Sequence, residues 1–512
     1  MNRRVFVGDL VRLAALAAVV PNDWRVFSRV HLTSDPFALG IASGDPTPGS
    51  VILWTRLAPH PLEPLGGMTG ERVAVRWEVA TDEKFSRIVK HGTATATPEL
   101  AYTVHVNAEG LDADRWYFYR FIAGDATSET GRLRTTPPRS ATTTPLKLAF
   151  ASCQHYEQGL YTAYRHMTNE DVDLVVHLGD YIYEDRPIAG RVRTHFSPLC
   201  MSLEDYRLRY AQYKTDEHLQ AAHAARPWIL TWDDHEVSNN YAGLIAADTT
   251  LTSDVMRGRR AAAYRAWWEH QPVNVPATGD WANLTITRTM SWGALAQFWV
   301  MDTRQYRSDQ ACGDGNKEVP CGNWSDPSRV MMSAREEQWM LDGISGSHAR
   351  WQVLANQVMM APFDSLPGDR VRVSMDQWSG YPVARDRLLG EIGKRAPNRT
   401  VVITGDIHSN WVNELKSTFS APNAPTIAAE FVGTSISSGG DGSDRWISDA
   451  MAAENPHVHW QQNRRGYVSC VVSGDEWRAD YRTVPFVSQP GAAIETASSW
   501  RVRRGVAGIE RI

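Results

Sequence analysis

Apolar and polar positions change their rhythm along the 512 residues. From Phe37 to about Pro138 the runs are short and alternate. Val73-Ala-Val-Arg-Trp-Glu-Val79 and Trp116-Tyr-Phe-Tyr-Arg-Phe-Ile122 place apolar residues at about every second position, and Phe37 to Arg56 splits into strand runs at Gly and Pro. Period-two segments at close spacing predict a small β-sandwich. Thr135-Thr-Pro-Pro-Arg-Ser-Ala-Thr-Thr-Thr-Pro145 is polar and stiff, which marks a boundary. Beyond it the strands become near-continuous apolar runs: Leu146 to Ser152, Leu174 to Leu178, Trp228 to Thr231, Trp351 to Leu354 and Thr400 to Thr404. Helical stretches such as Leu203 to Ala225 and Arg257 to Trp268 lie between them. Buried strands separated by helices predict a layered α/β domain. The expected organisation is a β-sandwich over residues 37–138 followed by an α/β domain over 146–512.

Residues 1–30 stand apart. Arg3-Arg4 precedes a weakly apolar stretch, Leu10 to Val20, that ends at Pro21. Paired arginines before such a segment predict a twin-arginine signal, use of the corresponding export machinery, and a periplasmic, cell-surface or extracellular location. Arg12 interrupts the apolar stretch, and no Ala-x-Ala site follows Val20. The formal charge of -5 gives no basic field, which argues against a nucleic-acid or membrane-surface binder. No later apolar run is long enough for a transmembrane span. With 43% hydrophobic residues the chain can bury a core, and its 20 Trp read first as core and cleft wall. Five cysteines make no disulfide scaffold. Cys312 and Cys321 share a polar Gly/Pro loop and are expected to close it; Cys200 and Cys470 read as structural thiols.

The chemistry gathers where the five α/β-domain strands end, the place where open α/β sheets bind ligands. The first ends at Ser152-Cys153-Gln154-His155, the second at Gly179-Asp180-Tyr181-Ile182-Tyr183, and the third at Trp232-Asp233-Asp234-His235-Glu236. The fourth ends at Ala355-Asn356-Gln357 and the fifth at Gly405-Asp406-Ile407-His408-Ser409-Asn410. A single Asp after a strand is ordinarily a cap or turn former. Five endings that all offer thiolate, carboxylate, phenolate, amide or imidazole are not. Carboxylates meeting in one cleft repel one another, and a multivalent cation compensates them.

These endings resemble the calcineurin-like metallophosphoesterases, and more closely the PhoD-type alkaline phosphatases. Gly40-Ile-Ala-Ser-Gly-Asp-Pro46, Asp302-Thr-Arg-Gln-Tyr-Arg307, Asp376-Gln-Trp-Ser-Gly-Tyr381 and Phe431-Val-Gly-Thr-Ser-Ile-Ser-Ser-Gly439 resemble the same family. Cys153 stands where the wider superfamily has Asp-x-His, and Asp406 where it has the first His of Gly-His-x-His; both departures are typical of the PhoD type. The resemblance implies a secreted metal-dependent phosphoric ester hydrolase acting on small phosphate esters.

Cys153, Tyr183 and His408 suit a trivalent transition metal, Fe³⁺. Asp180 can bridge to a second ion bound by Asp234, Asn356 and Asp406, an all-oxygen set that suits one or two Ca²⁺. Asp233 could replace Asp234, and Gln357 could replace Asn356, since a one-residue shift changes which side chain faces the cleft. A water acidified between the ions attacks phosphorus, so no Ser nucleophile is expected and the Gly-Thr-Ser-Ile-Ser-Ser segment reads as a tight turn. His235 is the expected general acid, with a ligand-holding role as the alternative. Glu236 is expected to orient the site or cap a helix, and Arg304 to bind phosphate oxygens. Trp378 and Tyr381 read as core or cleft wall, and Ser499 to Arg504 as exposed. Two other functions stay open: a phospholipase D-like diesterase of the same fold, and a non-catalytic cell-surface module.

Overall fold

A computed structural model describes residues 34–142, 144–421, 423–444 and 447–512. The expected signal segment lies outside these residues. Among the described residues, no helix is long and apolar enough to cross a membrane.

Two sheets stack face to face with helices outside each. In the first, the strands Leu146–Ala151, Leu174–His177 and Pro227–Leu230 run parallel. In the second, Ala296–Val300, Trp351–Asn356, Thr400–Thr404 and Thr426–Val432 run parallel. The long strand Val458–Val472 joins them. Its first half pairs with Asn410–Lys416 in the second sheet, and its second half pairs with Leu146–Ala151 in the first. The period-two rule sorts the side chains of each strand. Leu148, Phe150 and Val176 meet Val353, Val401 and Ile403 between the sheets. Their neighbours Ala149, Ala151 and Val175 face the first helix layer. Trp299, Leu354 and Val402 face the second helix layer. Both faces of each parallel strand are therefore covered, which is why these segments read as unbroken apolar runs.

The expected helix from Leu203 to Ala225 is two helices, Leu203–Lys214 and Glu217–Ala225. Asp216 caps the second by accepting from the backbone of His218 and Leu219. The helix expected from Arg257 to Trp268 runs Ser253–His270.

The N-terminal region is a sandwich, but not a free-standing one. Val73–Ala80, Ile88–Ala96 and Trp116–Ala123 form one sheet. The facing strands Ile41–Gly44, Ser50–Arg56 and Thr103–Glu109 continue the first sheet of the α/β domain, because Ser43 and Gly44 pair in parallel with Pro227 and Trp228. Gly44 permits that approach: a Cβ there would lie 2.1 Å from Pro272 O and 2.7 Å from Trp228 O. The next residue, Asp45, forms an ion pair with Arg288 at 2.8 Å. The Gly40–Pro46 motif thus ties the two regions together.

The C-terminal expectation is corrected. Glu495–Arg503 is a strand paired with Glu476–Val484, and Trp500 and Val502 are buried between the two sheets. Its alternating arginines point outward, which is why the segment reads as polar.

Candidate metal centre

The strand ends converge. A sulfur, nitrogen or oxygen atom from each of Cys153, Asp180 and His408 lies within 4.8 Å of the others, and so do carboxylate oxygens of Asp180, Asp233, Asp234 and Asp406. Tyr183 joins the first group: its hydroxyl is 2.9 Å from Asp180 Oδ2 and 3.0 Å from His408 Nε2. Asp180 belongs to both groups.

The local backbone explains the convergence. Cys153, Asp180, Asp406 and His408 all have left-handed φ values, 58°, 55°, 63° and 54°. Non-glycine residues seldom adopt these, and such strain gathers at functional sites. The turn each one makes swings its side chain off the strand direction into the shared cleft. The glycines before the two aspartates are required by crowding. A Cβ on Gly179 would lie 2.4 Å from Asp233 Cβ, and one on Gly405 would lie 2.6 Å from Ser152 Oγ.

Several buried groups hold these turns. Glu236 Oε2 accepts from the backbone N–H of Asp180 (3.1 Å) and Asp233 (2.8 Å), and Oε1 accepts from Tyr181 (2.6 Å). It locks two strand ends together rather than capping a helix. Burial pushes its carboxyl up to about 8, while the three donors pull the other way. Ser438 binds Cys153 O (2.8 Å), the Tyr183 hydroxyl (2.8 Å) and the His155 backbone N–H (3.0 Å). Ser435, Ser437 and Ser438 are fully buried and hydrogen-bonded, so the serine-rich segment is a clamp, not a nucleophile loop.

Two residues, Arg304 and Asn356, sit differently from expectation. Arg304 is fully buried and reaches four carboxylates. Its Nε pairs with Asp233, Nη1 lies 2.8 Å from Asp376, and Nη2 lies 3.3 Å from Asp406 and 3.4 Å from Asp234. Both faces of the fork are engaged inside the protein, against the acidic cluster. Asn356 spends its side chain elsewhere. Nδ2 donates to Val358 O (2.5 Å) and Thr404 Oγ1 (3.3 Å), and Oδ1 accepts from Trp378 Nε1 (3.3 Å). None of these partners belongs to the carboxylate cluster. Gln357, the alternative, donates to Thr231 Oγ1 (2.7 Å) and to Met301 O (2.5 Å). Trp378 and Tyr381 are core residues.

His235 lies beside the cluster. Its Nδ1 is 2.7 Å from Glu184 Oε2, its ring lies 4.1 Å from that of Tyr183, and one ring nitrogen is within 4.8 Å of Asp180 and Asp234 oxygens. Burial alone would depress its pKa, but Glu184, Asp234 and Asp180 hold it well above the ordinary imidazole range. Sequence reasoning missed Glu184, the residue directly after Tyr183. It also gave no role to Asp376 and Gln377, although Val371–Ser374 supplies a sixth strand end just before them.

The donor set fits bound cations. Asp233 Oδ2 and Asp234 Oδ1 are buried without a hydrogen-bond partner. Burial raises the Cys153 thiol and the Tyr183 phenol well above their ordinary range, with Asp180 adding to both, and burial likewise raises Asp180 itself. A thiolate, a phenolate and a carboxylate in one dry pocket need a strong positive charge.

Paired sheets whose strand ends bring carboxylate, imidazole, thiol and phenol groups into one buried cluster define a metal-dependent phosphoesterase. The chain belongs to the PhoD-like phosphatase family: that family's model matches residues 148–481, and the model of its N-terminal domain matches residues 25–137. It is 44% identical to alkaline phosphatase D of Bacillus subtilis (strain 168) over all of this chain and 89% of that protein. A solved structure titled "Structure of PhoD" matches with a TM-score of 0.91 at 46% identity, covering 94% of this chain and 92% of the other. The protein is a phosphoric ester hydrolase.

Proposed function

We propose that this protein is an exported phosphatase that cleaves small phosphate monoesters, and diesters, at alkaline pH with a mixed cation pair. The observation that carries this is Asp180, a carboxylate shared by two chemically different donor groups. Cys153, Tyr183 and His408 with Asp180 would hold Fe³⁺, and Asp180, Asp234 and Asp406 would hold Ca²⁺. When bound, the ions supply charge neutralisation at phosphorus and acidify a water. Arg304 keeps the carboxylates fixed around that position, and Asp233 holds Arg304. Glu184 takes the Nδ1 side of His235, leaving Nε2 to pass a proton to the departing oxygen.

The test is Asp180→Ala. Turnover of p-nitrophenyl phosphate and its bis ester should fall at least a thousandfold, and both ions should be lost on elemental analysis. Undiminished turnover would refute the catalytic reading, and an unaltered protein without iron would refute the Fe³⁺ assignment. Phosphatidylcholine cleavage faster than either ester would instead favour the diesterase reading. Arg3-Arg4 and the apolar segment after it support the export reading. Replacing both arginines by lysine should retain the protein in the cytoplasm, as fractionation would reveal.

A further inference from the structure

Beside the acidic half of the centre lies a small arm. The disulfide between Cys312 and Cys321, nine residues apart, closes a loop. Within it the strand Asn316–Val319 pairs antiparallel with Val371–Ser374, Lys317 opposite Val373. Met375 N–H donates to Gly315 O (3.0 Å). Ala311, Val373 and Met375 form a separate apolar cluster with Cys312 and Trp324 against it. The arm therefore has a core of its own, and the disulfide limits how far it can open.

It meets the centre at two points. On one side Asp314 Oδ2 accepts from Asn240 Nδ2 (2.7 Å), and Asn240 N–H donates to Asp234 Oδ2 (2.6 Å). Gln310 Nε2, just before the disulfide, donates to Asn240 O (2.7 Å) and Asp376 Oδ1 (3.0 Å). Asn240 is left-handed, at φ 49°, so a bond on its side chain helps keep its N–H aimed at Asp234. On the other side, the strand Val371–Ser374 runs into Asp376 and Gln377. Asp376 grips Arg304 and Arg307, and Gln377 Nε2 donates to Asp406 Oδ2. Both Asp234 and Asp406 are thus positioned through the arm. The other half is held by different groups: Ser438 on Tyr183, and Ser152 Oγ, which accepts from Cys153 Sγ at 3.1 Å.

We propose that the disulfide-closed arm, acting through Asp314 and Asn240 as positioning residues, sets the affinity of the all-oxygen half of the centre for its cation and leaves the Cys153–Tyr183–His408 half alone. The proposal rests on the two-cation reading above. The link is the one hydrogen bond from Asn240 Nδ2 to Asp314 Oδ2, and breaking it should weaken cation binding about fivefold.

The test titrates calcium chloride into full-length protein stripped with a calcium-selective chelator, with three readouts: the calcium dissociation constant, the visible absorption of the Tyr183-bound metal, and kcat at saturating calcium. Asp314→Ala removes the acceptor. Asn240→Gly keeps the left-handed backbone and its N–H while removing the side-chain donor. Each should raise the dissociation constant about fivefold. The double variant should do no more than either single one, because both break the same bond. A Cys312→Ser, Cys321→Ser variant should raise it by at least as much. The visible absorption should not move, and excess calcium should restore kcat. Dissociation constants within twofold of the unaltered protein, additive effects, or parallel loss of the visible band would overturn the proposal. An unaltered protein that takes up no calcium would overturn the cation assignment, and the proposal with it.

Discussion

Replacing Arg304 separates two roles that a strand-end arginine can have. The guanidinium is completely buried among Asp233, Asp234, Asp376 and Asp406. A unit charge about 3.3 Å from another is worth roughly 5 kcal/mol gross at an effective dielectric of about 20. Much of that is offset by the desolvation of both partners. What survives on removal is the cost of stranding buried carboxylates, about 3–5 kcal/mol where one partner of a single pair is lost. Here one side chain serves four acids, so Arg304→Gln should destabilise chelator-treated protein by at least about 3–5 kcal/mol. Arg304→Lys should recover only part of this, because a point charge cannot span both faces of a fork. The assay is urea unfolding of the chelated variants at pH 8, alongside KM for p-nitrophenyl phosphate in the loaded enzyme. A clamp predicts lost stability and lost cation content. A phosphate receptor predicts a KM raised about tenfold with stability within about 1 kcal/mol of the unaltered protein, and that outcome would refute the clamp.

Two further expectations rest on buried groups outside the candidate donor set. Glu236→Gln sets an amide NH₂ against backbone N–H groups that now meet a carboxylate oxygen. It should cost about 2–3 kcal/mol and lower bound metal per chain, and unchanged metal content would count against its role in aiming Asp180. His177 concerns acid sensitivity. Burial lowers its pKa from 6.5 to about 3, and neither ring nitrogen has a partner. The folded state binds its proton less readily than the unfolded chain does. The stability it supports is therefore fully present above about pH 6.5 and is lost as pH falls toward about 3, by at most about 4–5 kcal/mol. His177→Phe should flatten the acid limb of the unfolding free energy between those values, and an unchanged limb would exclude His177 as its source.

What could be read from the chain alone follows from which physics is local. Thr400–Thr404 reads as a buried strand because both its faces are covered, and the observed strand has those bounds. The strand-end chemistry is equally visible, since a turn carrying Asp, Cys or His is written in consecutive residues. Partner choice is not written that way. Arg304 lies 71 residues from Asp233 and 102 from Asp406, and nothing in Asp302-Thr-Arg-Gln distinguishes an arginine aimed at substrate from one aimed inward. The surroundings of Asn356 are nonlocal for a related reason. It ends a strand as the clustered residues do, but its amide hydrogen-bonds with Val358, Thr404 and Trp378. The joining of the sandwich to the α/β domain is also nonlocal, resting on Ser43 and Gly44 meeting Pro227 and Trp228. One feature of this centre that lies outside the residue pattern is backbone handedness at Cys153, Asp180, Asp406 and His408. Residue identity predicts it weakly, because aspartate, cysteine and histidine also occupy ordinary extended positions; the crowding that demands Gly179 and Gly405 is the nearest trace of it in the sequence.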